Sequence, residues 1–155
     1  MKWSELDREE KQTIIRNTRK KVKFPLYIIE KDWWVVQTLR LVSRMDIAEH
    51  IVFKGGTSLS KAWGLIDRFS EDIDLVINRE FFGFSGNISR TQVGKLKNAS
   101  NKYLSNDFLF SLQKAFDDAG MNGVKISVVD EKAPDDDPVK IAVLYPTVTE
   151  YSVYV

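Results

Sequence analysis

Two aspartates one residue apart, Asp72 and Asp74, stand inside the apolar run "DIDLVI". In a β-strand alternate residues share a face, so these two carboxylates project together while Ile73, Leu75 and Ile77 fill the opposite face. Held side by side they repel each other, and an apolar strand gives little relief. A cation between them makes the arrangement favourable. Magnesium fits best, a hard ion that takes oxygen from one or two carboxylates and from substrate phosphates, with manganese as the substitute. Paired ions about 3.5–4 Å apart can activate an attacking oxygen and stabilise a leaving pyrophosphate. Asp72 and Asp74 are therefore the candidate catalytic residues and metal ligands.

The segment just before them, "FKGGTSLSKAWGLIDRFSE", supplies a complementary group of residues. Gly55 and Gly56 let the backbone approach a ligand closely and adopt conformations closed to other residues. A helix after that turn offers free N–H groups and a positive dipole end to an anion, and the hydroxyls of Thr57 and Ser58 can add hydrogen bonds to phosphate. Lys61 either reaches the phosphates from the helix's first turns or is an exposed helix lysine. Arg68 either contacts phosphate or buttresses Glu71 and Asp72 by ion pairing. Glu71 faces away from Asp72 and takes no metal role, Lys54 is strand-edge charge, and His50, the sole histidine, is structural. Trp33, Trp34 and Trp63 stand at helical spacings and read as core. A phosphate cradle beside a carboxylate pair is the minimum equipment for nucleotidyl transfer.

These groups need elements to hold them. Ser4, with Asp7 three residues later, resembles a capping box for a first helix that fades near Phe24-Pro25. In "LYIIEKDWWVVQTLRLVSRM", Leu26, Ile29, Trp33, Val36 and Leu39 mark the buried face of a second helix. "HIVFKGG" reads as a short strand. From Thr57, the residues Leu59, Ala62, Trp63 and Ile66 recur as the buried face of a third helix, and "DIDLVI" follows as a strand. Asn78 to Ser100 reads as a loop whose end is partly helical. Leu104, Phe108, Leu112 and Phe116 mark another helix, with Gly120 as its stop. "VKISVV" and "VKIAVLYP" are strands flanking an acidic loop, and "YSVYV" begins one more. The order is that of an α+β fold with helices on a mixed or antiparallel sheet.

With 155 residues the chain suits one domain, residues 1–155. Val155 falls in the middle of strand-like alternation, which points to the N-terminal part of a longer protein. Apolar and charged fractions of 43% and 29% are those of an ordinary globular protein. No apolar run approaches the roughly 20 residues that span a bilayer, and the polar N-terminus is no signal peptide. The absence of cysteine excludes disulfides and thiolate metal sites. These features suit the cytoplasm. A net charge of +1 does not advertise nucleic-acid binding. The basic run Arg16 to Lys23 reads as a solvated helix end in preference to a phosphate-facing patch.

The segment "KGGTSLSKAWGLIDRFSEDIDLVI" resembles the signature of the AbiEii/AbiGii-type nucleotidyltransferase toxins of the DNA polymerase β-like superfamily. "IEKDWWVVQTLRLV" is similar to that family's helix before the first strand, so the likeness covers about Ile29 to Ile77. It implies a polymerase β-like fold and an NTP-using, magnesium-dependent toxin of a type IV-like toxin–antitoxin or abortive-infection, phage-defence system. The toxin would be paired with a separately encoded antitoxin and would modify an acceptor such as tRNA. By position, Gly55, Gly56, Thr57 and Ser58 carry over as the nucleotide-binding turn and Asp72 and Asp74 as metal ligands. The superfamily also uses a third carboxylate on a later strand, for which Glu150 is the nearest candidate and Asp130 a poorer one. Three functions compete on this basis: a nucleotidyltransferase, a nucleotide- or antitoxin-binding module without turnover, and, third, a metal-dependent nuclease, which would not need the Gly-Gly turn.

Overall fold

The computed structural model describes residues 3–61, 63–64, 72–129 and 139–149. Arg68, Glu71, Asp130, Glu150, Ala62, Ile66 and the "YSVYV" segment lie outside them. Helices α1 (Arg8–Val22) and α2 (Leu26–Val42) come first, then strand β1 (Ile51–Lys54), helix α3 (Gly55–Lys61) and strand β2 (Asp74–Ile77). Helices α4 (Arg90–Tyr103) and α5 (Leu109–Asp118) follow, joined through a π-helical turn at Leu104–Phe108. Strands β3 (Lys125–Val128) and β4 (Ile141–Leu144) come last. β1 pairs with β2 and β3 with β4. The second pair is antiparallel, with Lys125 opposite Leu144 and Val128 opposite Ile141. The content is α+β; among the described residues the strands form two two-stranded sheets where the sequence suggests one.

The chain divides into two compact units. The first comprises Met1–Arg40, Phe53–Asp74 and Tyr145–Val155; the second comprises Leu41–Val52 and Leu75–Leu144.

In the first unit, α1 is closed by a reciprocal cap one helical turn later than Ser4. The Glu10 N–H donates to Asp7 Oδ1 at 2.8 Å, and the Asp7 N–H donates to Glu10 Oε2 at 2.9 Å. This satisfies two of the donors that a helix start leaves unpaired. Residues Trp3–Glu5, where the sequence suggests the helix to begin, form a 3₁₀ turn. Arg19, Lys20 and Lys21 complement the dipole in the last turn of α1, and the basic run is largely exposed. Lys23, at φ 60°, ends the helix, and Pro25 starts the next by offering its carbonyl to Ile28 and Ile29.

The buried face of α2 is rotated from the expected one. Glu30, Trp34, Val35, Thr38, Leu41 and Val42 are buried, while Val36 is exposed. Apolar residues surround this helix, so spacing alone could not choose the face. Tertiary partners choose it. Both oxygens of the Glu30 carboxylate are used: Oε1 accepts from the Val148 N–H at 2.7 Å, and Oε2 accepts from the Thr149 N–H at 3.0 Å and from the Thr149 hydroxyl. Gln12 on α1 donates to the Val148 carbonyl at 2.7 Å. Tyr145 stacks on Trp34 with ring centroids 4.8 Å apart. Trp34 in turn meets Trp33 edge-on at 4.8 Å, and Trp33 packs on Trp3 at 4.4 Å.

In the second unit, residues 78–100 are more ordered than a loop, with a 3₁₀ turn at Arg79–Phe82 and then α4. The α4 start carries a Ser89–Gln92 capping box. Phe108, Leu112 and Phe116, four residues apart, are all buried, as their helical spacing predicts. Gly120, at φ 70°, follows the end of α5. Gln113 ties α5 to β3 by donating to the Val124 carbonyl at 3.1 Å and accepting from the Ile126 N–H at 3.1 Å. His50 closes a 3₁₀ turn; its carbonyl accepts from the Asn78 N–H at 2.7 Å, and its ring lies against Phe81.

Candidate functional site

The site is built within the first unit, from α3 and the residues leading into β2. Gly55 opens α3 at φ +72°, a conformation that L side chains rarely adopt. A β-carbon placed there would stand 1.9 Å from Asp74 Oδ2 and 2.8 Å from its carboxyl carbon. The Asp74 carboxylate therefore rests directly on the α-carbon of the first glycine of the turn. Only the absence of a side chain leaves room for it. The glycine turn and the carboxylate residue form one corner.

Asp72 is fixed to the same helix by a different atom. The Thr57 hydroxyl, fully buried, donates to the Asp72 backbone carbonyl. This bond lets α3 bury a polar residue without the cost of an unpaired hydroxyl. Asp72 itself precedes the first hydrogen-bonded residue of β2, yet exposure alternates without a break from Asp72 to Ile77. Asp72, Asp74 and Val76 are on the exposed side, with Ile73, Leu75 and Ile77 turned inward. Asp72 and Asp74 thus both lie on the exposed side.

The predicted site residues do not all end up in equivalent surroundings. Gly55 is exposed and Gly56 partly so, whereas Thr57 and Ser58 are buried. The Thr57 hydroxyl holds Asp72 in place. Lys61 forms an ion pair with Asp32 of α2, both side chains being about one third exposed or less, at 27% and 33%. Its ammonium thus joins the third helix to the second. Over its described length α3 has seven residues, under two turns, so the anion-binding capacity falls to the turn itself more than to a summed helix dipole. Arg68 lies outside the described residues.

The expected buried face of α3 is corrected by the structure. Leu59 is 42% exposed and Trp63 is 70% exposed, while Thr57 and Ser58 are the residues that turn inward. The small Thr57 side chain bonds the Asp72 backbone from the inward side of α3, and Leu59 is left on the exposed side. Of the tryptophans read as core, Trp34 is buried and Trp33 partly so, but Trp63 is not.

Sequence reasoning assigned no role to Glu30 or Asp32, which anchor α2 to residues 148–149 and to α3 respectively. The available signal was a glutamate amid the apolar residues Ile28, Ile29, Trp33 and Trp34. An acid in such a position needs internal partners.

As to a metal, the donors present are two exposed carboxylates on one face, and no group of three or more His, Cys, Asp or Glu side chains suited to a metal occurs among the described residues. Two carboxylates completed by substrate phosphates is an ordinary magnesium arrangement. The residues fit that ion better than zinc, which takes nitrogen and sulfur ligands in closed sets.

The Gly55 turn and the Asp74 carboxylate are packed together. The family model of the AbiEii nucleotidyl transferase toxin of type IV toxin–antitoxin systems matches residues 38–150, well over half of the chain. The chain belongs to the AbiEii toxin family. The match includes the corner and residues 148 and 149 held by Glu30. No curated protein and no solved structure matches the chain. Family membership implies an antitoxin partner. No described helix is long and apolar enough to cross a membrane.

Proposed function

We propose that this chain transfers a nucleotidyl group from a nucleoside triphosphate to a hydroxyl acceptor such as a tRNA end, acting as the toxin of its pair in the cytoplasm and serving phage defence. The observation that carries the reading is the contact between the Asp74 carboxylate and the α-carbon of Gly55. It would bring the metal-binding group and the phosphate-binding turn to the same substrate atoms. The fold that goes with this reading is the polymerase β-like one.

In this mechanism Gly55 and Gly56 let the triphosphate approach the backbone, and Thr57 fastens Asp72 so that its carboxylate keeps its position beside Asp74. Asp72 and Asp74 would hold magnesium, or manganese in its place. When bound, that ion supplies charge neutralisation at the phosphates and eases loss of the acceptor proton. Holding both reactants at one corner replaces a bimolecular encounter by a positioned one. Lys61 and Arg68 are the cationic residues available to the phosphates, Lys61 by exchanging its Asp32 partner.

The test is calorimetric titration of each of the four nucleoside triphosphates with magnesium, on wild type and Asp72→Asn, followed by transfer of label to tRNA. Magnesium-dependent binding that the variant loses, with label appearing on RNA in wild type alone, is the expected result. Binding without label on any acceptor would favour a nucleotide-binding module. Full transfer by the Asp72→Ala/Asp74→Ala double variant would remove the carboxylates from the chemistry altogether.

A further inference from the structure

From residue 81 to residue 106 the sequence contains no aspartate or glutamate, and α4 holds four cations there, Arg90, Lys95, Lys97 and Lys102. At about 100° per residue, positions seven apart nearly eclipse, two turns and about 10.5 Å along the axis. Arg90 and Lys97 therefore form one row. Lys95 and Lys102 form a second, about 140° around the helix from the first. Between the rows lie Thr91, Gly94, Asn98 and Asn101, all exposed. Arg90, Lys95 and Lys102 are exposed as well and Lys97 partly so, while Leu96, Ala99, Ser100 and Tyr103 are half-buried on the other side.

Helix stability does not explain these rows. Arg90 is the first residue of α4, at the positive end of the helix dipole, where a cation is unfavourable. Only Lys102 falls in the last turn, where the dipole favours it. None of the four cationic groups forms an ion pair with a described residue. Gly94 is an independent observation. Its φ is not positive, and no described atom outside the helix lies within 4 Å of where its β-carbon would stand. Neither backbone conformation nor internal packing requires a glycine there, yet glycine inside an exposed helix is unfavourable relative to alanine. It leaves a bare patch of backbone between two rows of cations, which a ligand can approach closely.

We infer that this face of α4 docks the sugar–phosphate backbone of RNA, the two rows taking phosphates and Gly94 admitting the strand between them. The chain's net charge of +1 conceals this local excess, because the balancing acids stand elsewhere in the sequence. Composition favours a nucleic acid over a protein partner. Protein interfaces are depleted in lysine and enriched in aromatic side chains. Here three of the four cations are lysines, and Val93, the large apolar residue exposed on α4, lies outside the rows. Thr91, Asn98 and Asn101 add hydroxyl and amide groups for phosphate and 2′-hydroxyl contacts. The choice of RNA among nucleic acids rests on the nucleotidyl-transfer reading, in which an RNA is the acceptor. Affinity for a phosphodiester chain stands on α4 alone.

Fluorescence anisotropy on the full chain tests this, over a series of salt concentrations. The probes are a short single-stranded RNA of mixed sequence, DNA of the same sequence, and polyglutamate. Four phosphate contacts give log affinity a slope of about −3 against log salt, at about 0.7 per contact on a single strand. Lys95→Gln/Lys102→Gln and Arg90→Gln/Lys97→Gln should each weaken RNA about tenfold and make that slope shallower by about 1.4. Gly94→Gln should weaken RNA severalfold although its unfolding midpoint stays or rises. Lys20→Gln/Lys21→Gln removes the same charge from the exposed end of α1 and should bind as wild type. An equal loss in that control, or unchanged RNA affinity in either α4 double variant, would overturn the inference. So would a wild type that binds no RNA, or binds the DNA more tightly. Tighter binding of polyglutamate would overturn it too and assign the face to an acidic protein. Magnesium-dependent nucleoside triphosphate titration keeps the two readings apart, since the α4 variants should retain wild-type nucleotide affinity. Wild type that binds RNA through α4 but no nucleotide would remove the transfer reading and leave the docking face standing.

Discussion

A β-carbon on Gly55 would meet the Asp74 carboxylate at 1.9 Å, on a backbone at φ +72°. Gly55→Ala therefore faces two costs: about 1–2 kcal/mol for the left-handed conformation, and displacement of a carboxylate from the corner. Gly83 is a control, since its φ is +80° and nothing lies within 4 Å of its β-carbon position. Both alanine variants should lose stability in urea unfolding. Gly55→Ala alone should also lose at least tenfold in magnesium-dependent nucleotide affinity. Equal affinity in the two variants would separate Asp74 from the nucleotide site.

Tyr103 gives a pH prediction at the same scale. Burial, then the nearby negative charges of Asp107 and Asp46, raise its pKa above the usual 10.0. The unfolded chain then loses the phenol proton at lower pH than the folded one. Stability from this group is complete below pH 10 and is lost as pH rises through the folded value. Unfolding midpoints followed from pH 9 to pH 11.5 should fall less steeply in Tyr103→Phe than in wild type, and unchanged slopes would contradict the assignment.

At the scale of elements, α2 is anchored on two sides. Glu30, 2% exposed, accepts three hydrogen bonds from Val148 and Thr149, and Asp32 pairs with Lys61. Removing the Glu30 carboxylate leaves two backbone N–H groups and a hydroxyl without acceptors in a buried place. Glu30→Ala should cost about 3 kcal/mol, more than Thr149→Val, which removes only the hydroxyl donor. Chemical denaturation of both variants checks the order. The α1 cap is more local, and Asp7→Ala should cost about 1 kcal/mol with nucleotide binding unaltered. The expected Ser4 cap failed because Ser and Asp both suit an N-cap, and the partner glutamate three residues on stands after Asp7.

At the scale of the molecule, the first unit is assembled from three separate stretches of chain, Met1–Arg40, Phe53–Asp74 and Tyr145–Val155. The last stretch supplies the partners of Glu30, Gln12 and Trp34. A chain ended at Leu144 should therefore melt at a lower temperature than the full sequence by circular dichroism, with a loss at least as large as that of Glu30→Ala. As a member of a toxin family, the full chain should slow growth when expressed without its antitoxin, and Asp74→Asn should relieve this at equal protein level. Growth arrest that persists in Asp74→Asn would place toxicity elsewhere than the carboxylate corner.

The sequence by itself determined the local order of glycine turn, helix and aspartate-bearing strand, because these depend on backbone freedom, residue spacing and two-residue alternation. It likewise determined the buried spacing of Phe108, Leu112 and Phe116, and the glycine stop after α5. Tertiary structure decided what nearby positions in sequence left equivalent. Apolar residues surround α2, so the acceptor needs of Val148 and Thr149 selected the Glu30 face. On α3 the large residue Leu59 looked internal by spacing, but it is Thr57, whose hydroxyl donates to the Asp72 carbonyl, that faces inward while Leu59 is exposed. The rest of the corner was decided in the same way. That Asp74 rests on Gly55 follows from packing between residues nineteen positions apart, a contact that no periodicity encodes.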